Sequence, residues 1–336
     1  MGSLMDVTDL LARAVDAGAS DLHLAAGQIP MLRLDGELQR MALPTLGPAA
    51  LTEGMAPMLD EDQRRQWARG DELDLALELP VLGRFRLNLF RQLHGPAATF
   101  RLIPGHIATL DELDLGDVFQ AVAQCSDGLI LVGGPTGSGK SSTLATLLDQ
   151  LNRDRALHII TLEDPVEVIH SSQRSLVNQR EVGRHCGGFA QGLRSALRQD
   201  PDVIMIGELR DLETIRLALR AAETGHLVLA TVHTRSAVSS IDRLVEVFAA
   251  EEKPLVRAML AESLRLVVAQ VLVRRAGGGR VAAREVLVVT SAVRNLIREG
   301  RMAQLCSVMQ AGGADGMRTM EGAMRGLKER GLISDL

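Results

Sequence analysis

The sequence predicts an α/β fold throughout, with a small α/β domain followed by a larger domain built around a phosphate-binding loop. Three observations carry that prediction. Short apolar runs at Leu129–Val132, Ile159–Leu162, Val203–Ile206 and Leu227–Thr231 alternate with segments of helical periodicity such as Ser142–Leu151 and Thr214–Ala222. Unbroken runs of that length suit strands buried on both faces of a mostly parallel sheet. Directly after the first run, Gly134-Pro135-Thr136-Gly137-Ser138-Gly139-Lys140-Ser141 matches G-x-x-x-x-G-K-[ST]. The 336 residues are also enough for two domains with sizeable cores.

From the amino end, Val7–Ala17 places apolar residues at helical spacing and meets Gly18, and Asp21–Leu24 alternates like a half-buried strand. Met31–Leu34 and Leu38 flank Asp35-Gly36, a hairpin signal because the turn needs positive φ. Phe85, Leu87 and Leu89 alternate with Arg84, Arg86, Asn88 and Phe90, and Thr99–Leu102 reads as a further strand. Pro104-Gly105 opens a polar, turn-rich stretch. The expected division is therefore residues 1–104, a linker over 105–116, and a second domain over 117–336. Beyond the four buried runs, Val256, Met259, Leu260, Leu264, Val267, Val268 and Val271 fall on one face of an expected long helix. Met317, Met320, Met324 and Leu327 form another helical stripe, which reads as gap-filling core. Met1-Gly2-Ser3-Leu4, ahead of a second methionine at Met5, reads as an added vector-derived leader.

Composition excludes several classes. The net charge of −5 opposes a protein that coats duplex nucleic acid. Aromatic residues make up 2% of the chain, too few for single-strand stacking platforms. Cys125, Cys186 and Cys306 are scattered, with no C-x-x-C, which opposes a disulfide framework or a structural zinc site. The apolar runs are too short for a spanning helix, and no signal-like amino terminus is evident. The expectation is a cytoplasmic protein. Basic residues are divided unevenly: Lys140, Lys253 and Lys328 are the 3 lysines among 37 basic residues.

The glycine-rich motif predicts chemistry. Its glycines let the backbone curl until successive N–H groups converge on phosphate oxygens, and the following helix adds positive potential. Lys140 then reaches the β- and γ-phosphates, and the Ser141 hydroxyl ligates Mg²⁺. Such a site needs carboxylates at neighbouring strand ends. Glu208 follows the run Val203–Ile206, and Glu163-Asp164 follows Ile159–Leu162. One acid would hold magnesium through water and the other would polarise the attacking water; the alternative is that either caps the next turn. His226 and His233 bracket the run Leu227–Thr231, where an isolated histidine ordinarily reads as a satisfied polar residue. Arg84, Arg86, Arg91 and Arg101 read either as a solvated face or as fingers offered to a neighbouring γ-phosphate.

Taken in order, Gly134 to Ser142, Leu162-Glu163-Asp164-Pro165, Asp200-Pro201-Asp202 through Gly207-Glu208-Leu209-Arg210-Asp211, Thr224-Gly225-His226 and His233-Thr234 make a longer pattern. They resemble the P-loop, Asp box, Walker B and His box of the secretion-type ATPases of type IV pili and type II secretion. The resemblance extends over essentially the whole chain. Ala19 to Leu24 and Arg33 to Glu37 are similar to the opening of that family's retraction ATPases, and Ser291 to Glu299 is similar to the carboxyl-terminal element they need for retraction.

That resemblance implies a homohexameric ring of subunits, each with a PAS-like N-terminal domain and a RecA-like ATPase domain, and ATP between the two. It implies phosphate and Mg²⁺ binding by Lys140 and Ser141, with Gly134–Ser142 as the cradle. Glu163 becomes the catalytic glutamate, and Glu208 the Walker B acid that holds Mg²⁺ through water. His226 and His233 become residues near the nucleotide, and Arg86 and Arg101 the arginines that complete the site. The implied work is type IV pilus retraction and twitching motility, on a platform protein at the cytoplasmic face of the inner membrane. An extension or type II secretion ATPase is the alternative, and a nucleic-acid motor a more remote one. Retraction is favoured because the assembly ATPases usually carry a further N-terminal domain and a four-cysteine zinc module, for which this sequence has no match. Val293, Arg235 and the stretch Gln92-Leu93-His94-Gly95 depart from the family's usual residues.

Overall fold

The computed structural model describes residues 6–103 and 105–334. The leader expected at residues 1–4 lies outside the described residues, as does Pro104. The chain divides into two compact units, Met1–His106 and Ile107–Leu336.

In the first unit, helix α1 (Val7–Asp16) starts where Asp6 accepts a hydrogen bond from the Thr8 N–H at 2.9 Å. It buries Val7, Leu10, Leu11 and Ala14, the one face that helical spacing allows. Strands β1 (Asp21–Ala25), β2 (Met31–Leu34) and β3 (Glu37–Arg40) follow. The β2–β3 turn has Asp35 at φ 48° and Gly36 at φ 91°, the pair of left-handed residues expected of that dipeptide. Helices α2 (Pro48–Met55) and α3 (Glu61–Arg69) precede β4 (Leu73–Leu79), β5 (Gly83–Gln92) and β6 (Gly95–Ile103). The antiparallel sheet runs β3-β2-β1-β6-β5-β4. Phe85, Leu87, Leu89 and Phe100 face a core shared with α1 and α2. Period-two alternation therefore places Arg84 and Arg86 on the opposite face.

In the second unit, the segment expected as a linker buries Leu110 and Leu115 beside Phe119 of α4 (Gly116–Ala123). Then come β7 (Gly128–Gly133), α5 (Lys140–Asp154), β8 (His158–Glu163), β9 (Leu176–Glu181), α6 (Phe189–Ala196), β10 (Val203–Ile206), α7 (Leu212–Glu223), β11 (Leu227–Val232), α8 (Ala237–Glu246) and α9 (Lys253–Ser263). The chain ends with β12 (Leu264–Arg274), β13 (Arg280–Val288), α10 (Ser291–Glu299), α11 (Leu305–Ala311) and α12 (Met320–Glu329). The sheet order is β13-β12-β7-β11-β10-β8-β9, parallel except for β12–β13. Two large apolar clusters, one containing α7, α8 and α9 and the other α4 and α5, cover its two faces. All four predicted runs are strands of this sheet, and every residue of β7, β10 and β11 is buried.

One expected element is corrected. The long helix drawn through Val256 to Val271 is α9 followed by β12. Helix and strand meet at Ser263/Leu264, where the spacing still fits a helix but the chemistry changes. From Leu264 the run holds Val267, Val268, Val271 and Val273, and Leu264, Leu266, Val267, Val268 and Ala269 are all buried. β-Branched residues buried on both faces suit an interior strand, and β12 pairs with β7 on one side and β13 on the other. The methionine stripe is core: Met317 is buried, while Met320 and Met324 pack beside Ala323, Leu327 and Ile333. Among the described residues, no helix is long and apolar enough to cross a membrane.

Leu266 is fully buried in β12, so Leu266→Ala is expected to cost about 2–5 kcal/mol in urea unfolding. Leu255 on α9 is 63% exposed, and Leu255→Ala is expected to stay within about 0.5 kcal/mol. Equal costs at the two positions would contradict the strand assignment.

Candidate functional site

The parallel strands β7, β11, β10 and β8 end at one edge of the sheet, and the candidate residues collect there. The chain leaves β7 at Gly133 and enters α5 at Lys140. Glycine is required at both ends of the intervening loop. A Cβ on Gly134, at φ 156°, would lie 2.5 Å from the Gln270 carbonyl oxygen, and one on Gly139, at φ 86°, would lie 2.8 Å from Gln270 Nε2. Pro135, Thr136 and Gly137 are exposed at the loop's tip, Ser138 is buried beneath it, and Ser141 and Ser142 are exposed on the first turn of α5. Lys140 Nζ lies over the loop, donating to the carbonyls of Gly134 at 2.8 Å and Pro135 at 2.9 Å. Burial pulls the Lys140 amine below its ordinary value, and the carboxylates of Glu208 and Glu167 oppose that pull.

Glu208 follows β10 and meets His233, which follows β11, with Nε2 3.3 Å from the carboxylate. Arg210 Nη2 lies 2.7 Å from the same oxygen. Burial alone would push the Glu208 carboxyl up. Arg210 and His233 outweigh it and hold the group below the usual glutamate value. Because the folded value is depressed, this interaction stabilises the fold above the ordinary glutamate value and is lost as pH falls through the folded one. Glu163 ends β8, the strand next to β10, and the Gly207 N–H donates to the Leu162 carbonyl at 2.8 Å, so the two acids stand at adjacent strand tips. The Glu163 carboxylate is buried, and its Oε1 accepts from Thr161 Oγ1 at 2.6 Å and Gln179 Nε2 at 3.0 Å.

The loop after β11 is held against the phosphate loop. The Gly134 N–H donates to the Val232 carbonyl at 3.3 Å, Thr234 Oγ1 and Ser240 Oγ lie 2.6 Å apart, and Ser236 caps α8. His226, by contrast, sits at the other end of β11. Its carbonyl accepts from the Gly128 N–H at 3.1 Å, and its Nδ1 lies 3.1 Å from the Ala221 carbonyl. Six strand residues, about 20 Å at ~3.3 Å each, separate it from His233. Within one chain the structure brings Lys140, Glu163, Glu208 and His233 to one edge and places His226 at the opposite one, correcting the expectation that both histidines lie by the nucleotide.

On the outer face of the first unit's sheet, Arg86 and Arg101 are directly paired across β5 and β6. Each is engaged by a carboxylate the sequence did not point to. Arg86 Nε and Nη2 donate to Asp74 at 2.9 and 2.6 Å, and Arg101 Nε donates to Asp21 at 2.9 Å. Arg91 lies 4.7 Å from the centroid of Trp67.

Sequence reasoning missed Gln179 and Gln270, and it gave Arg210 no role although that residue lies in the quoted stretch after Glu208. Gln270 had a signal, being an uncharged polar residue inside an apolar strand; Gln179 had none, since β9 is an edge strand of mixed composition.

The chain matches the type II/IV secretion system protein family over residues 4–278. It belongs to that family. Among curated members it is 52% identical to the type IV pilus retraction ATPase PilT of Pseudomonas aeruginosa, over 98% of this chain and 96% of that one. It is 47% identical to a twitching motility protein of Neisseria gonorrhoeae, covering 91% and 82% of the two chains. Among solved structures of the family, the pilus retraction motor PilT with bound ADP superposes with a TM-score of 0.88 at 41% identity, over 98% of this chain and 95% of that one. The Legionella pneumophila ATPase DotB superposes with a TM-score of 0.86 at 31% identity, over 98% and 93%.

In this family member, His233→Ala and Arg210→Ala each remove a group that offsets burial. Each is expected to raise the Glu208 titration point followed by carboxyl ¹³C NMR. A lowered titration point in either variant would contradict the assignment.

Proposed function

We propose that this chain is an ATP-hydrolysing motor that works as a homohexamer and powers type IV pilus retraction. One arrangement carries the reading: a glycine-shaped loop ending in Lys140 shares its sheet edge with two carboxylates on adjacent strands, one buried and hydrogen-bonded, the other held ionised. The retraction assignment is supported by 52% identity to the P. aeruginosa PilT, against 35% to the pilus assembly ATPase PilB of the same organism.

In this reading the N–H groups of Gly134 to Ser142 cradle the phosphates, and Lys140 turns from the loop carbonyls to the β- and γ-oxygens. Glu163 takes the proton of the attacking water, its carboxylate aimed by Thr161 and Gln179. The residues present fit a magnesium ion: the Ser141 hydroxyl is exposed on the first turn of α5, and Glu208 carries the negative charge to hold the ion through water. When bound, that ion neutralises charge on the β- and γ-phosphates. His233 positions Glu208, while His226 anchors the start of β11. Arg86 and Arg101 exchange Asp74 and Asp21 for a γ-phosphate and so act as the arginine fingers of the ring. Hydrolysis around the ring does work on a platform protein at the cytoplasmic face of the inner membrane. Nucleic acid is not a partner in this reading, in keeping with the net charge of −5.

Lys140→Ala and Glu208→Ala are expected to lower steady-state ATP turnover by about 100-fold or more. Turnover at the unmodified level in either variant would refute the site. Deleting the gene is expected to leave cells over-piliated and unable to twitch; bald cells would identify an extension motor instead, and strong stimulation of turnover by single-stranded DNA a nucleic-acid motor.

A further inference from the structure

The phosphate loop rests on a buried polar chain that lies outside the motif. We infer that Gln270 on β12 and Arg284 on β13 are positioning residues that set the orientation of the loop and thereby the protein's affinity for the phosphates it binds. The inference rests on the reading of this loop as the nucleotide site.

A loop whose N–H groups converge on an anion must turn some of its carbonyls the other way, into the protein, where each needs a donor. The Ser138 carbonyl has one. Gln270 Nε2 donates to it at 2.6 Å, and Gln270 is only 2% exposed. A glutamine amide can flip and present oxygen instead of nitrogen, and a flipped amide would set two acceptors against each other. Arg284 prevents this. A guanidinium nitrogen can only donate, and Arg284 Nε donates to Gln270 Oε1 at 3.1 Å. Thr143 Oγ1, from α5, donates to the same oxygen at 2.8 Å. With Oε1 committed to two donors, Nε2 has one place to point.

Arg284 is itself fixed. It is 8% exposed, and Nη1 donates to the Leu113 carbonyl at 2.7 Å. Burial pulls its guanidinium down to about 10, against the attraction of Asp114, so it remains a cation near neutral pH. Both hydrogen-bonded oxygens, of Gln270 and Leu113, are neutral. Burying a cation against neutral acceptors is unfavourable for folding, and a better-packed apolar residue would ordinarily serve the core. Orientation of the Gln270 amide is what the guanidinium contributes in return. Gln270 also lies close beside both ends of the loop, since a Cβ added at Gly134 would meet its carbonyl oxygen and one added at Gly139 its side-chain nitrogen.

The test separates orientation from folding. Gln270→Glu keeps the shape, keeps an acceptor for Thr143 and Arg284 and gives Arg284 an ionic partner, but its carboxylate cannot donate to Ser138. Its thermal midpoint is expected to stay within about 5 °C of that of the unmodified protein, the Arg284 ion pair offsetting the unpaired Ser138 carbonyl, while its Kd for Mg·ADP, measured by calorimetry, rises tenfold or more. Gln270→Met removes the donor without adding charge and is expected to weaken binding comparably. Arg284→Met is expected to raise Kd severalfold, and Arg284→Lys, which keeps a donor and the charge, to recover part of that loss. A folded Gln270→Glu or Gln270→Met protein that binds Mg·ADP within twofold of the unmodified chain overturns the inference and leaves the nucleotide site standing. Failure of the unmodified protein itself to bind Mg·ADP overturns both.

Discussion

The candidate site depends on one backbone reversal, the curl between Gly133 and Lys140. Its shape is imposed from two sides. Glycine is needed where a side chain would strike Gln270, and the parallel sheet delivers the loop to the edge where β8, β10 and β11 also end. Once the loop is placed, the remaining groups need no long reach. Glu208 follows a strand two places away in the sheet, Glu163 the strand beyond it, and His233 the strand between. Register does the rest, since parallel strands that pair Ile206 with Leu162 and Ala230 bring the next residues of each chain segment level.

Electrostatics at this edge is a balance between burial and partners. Lys140 and Glu208 carry opposite charges and are both drawn out of water, and the field of Glu208 opposes the effect of burial on Lys140. Arg210 and His233 tip the balance for Glu208 toward the ionised form. Arginine dominates the basic residues of this chain, so the lysine in the loop stands out. A compact ammonium on a flexible stem can move from loop carbonyls to phosphate oxygens, which a planar guanidinium does poorly. On the first unit the guanidinium is used differently: Arg86 and Arg101 sit side by side, each held by an acid of its own sheet.

Much of this was legible in the sequence because it is local. Asp35-Gly36 specifies its turn through φ alone, and the run Leu129–Val132 followed by glycines specifies strand, loop and helix in a row. The four buried strands were legible because burial on both faces leaves no polar alternation to confuse them. Reading failed where two periods fit the same residues. From Val256 to Val271 helical spacing is satisfied, yet the valine-rich half pairs as an interior strand, a tertiary choice that spacing does not encode. For His226 the spacing was the better guide than the resemblance: residues that bracket a six-residue strand stand at its two ends, and His233 follows the end that lies by the phosphate loop. The hydrogen bonds of Gln179, Gln270 and Arg284 were illegible for a related reason: their partners are separated from them by up to 171 positions in the chain.

In the proposed motor, Glu163 performs the chemistry on a nucleotide that the loop holds independently of it. Glu163→Gln keeps the size and hydrogen-bonding shape of the side chain and removes the base. Incubated with radiolabelled ATP and magnesium, that variant is expected to bind ATP with the affinity of the unmodified protein and to retain it uncleaved, with turnover reduced by about 100-fold or more. Release of ADP and phosphate at the unmodified rate, or loss of ATP binding, would contradict the account.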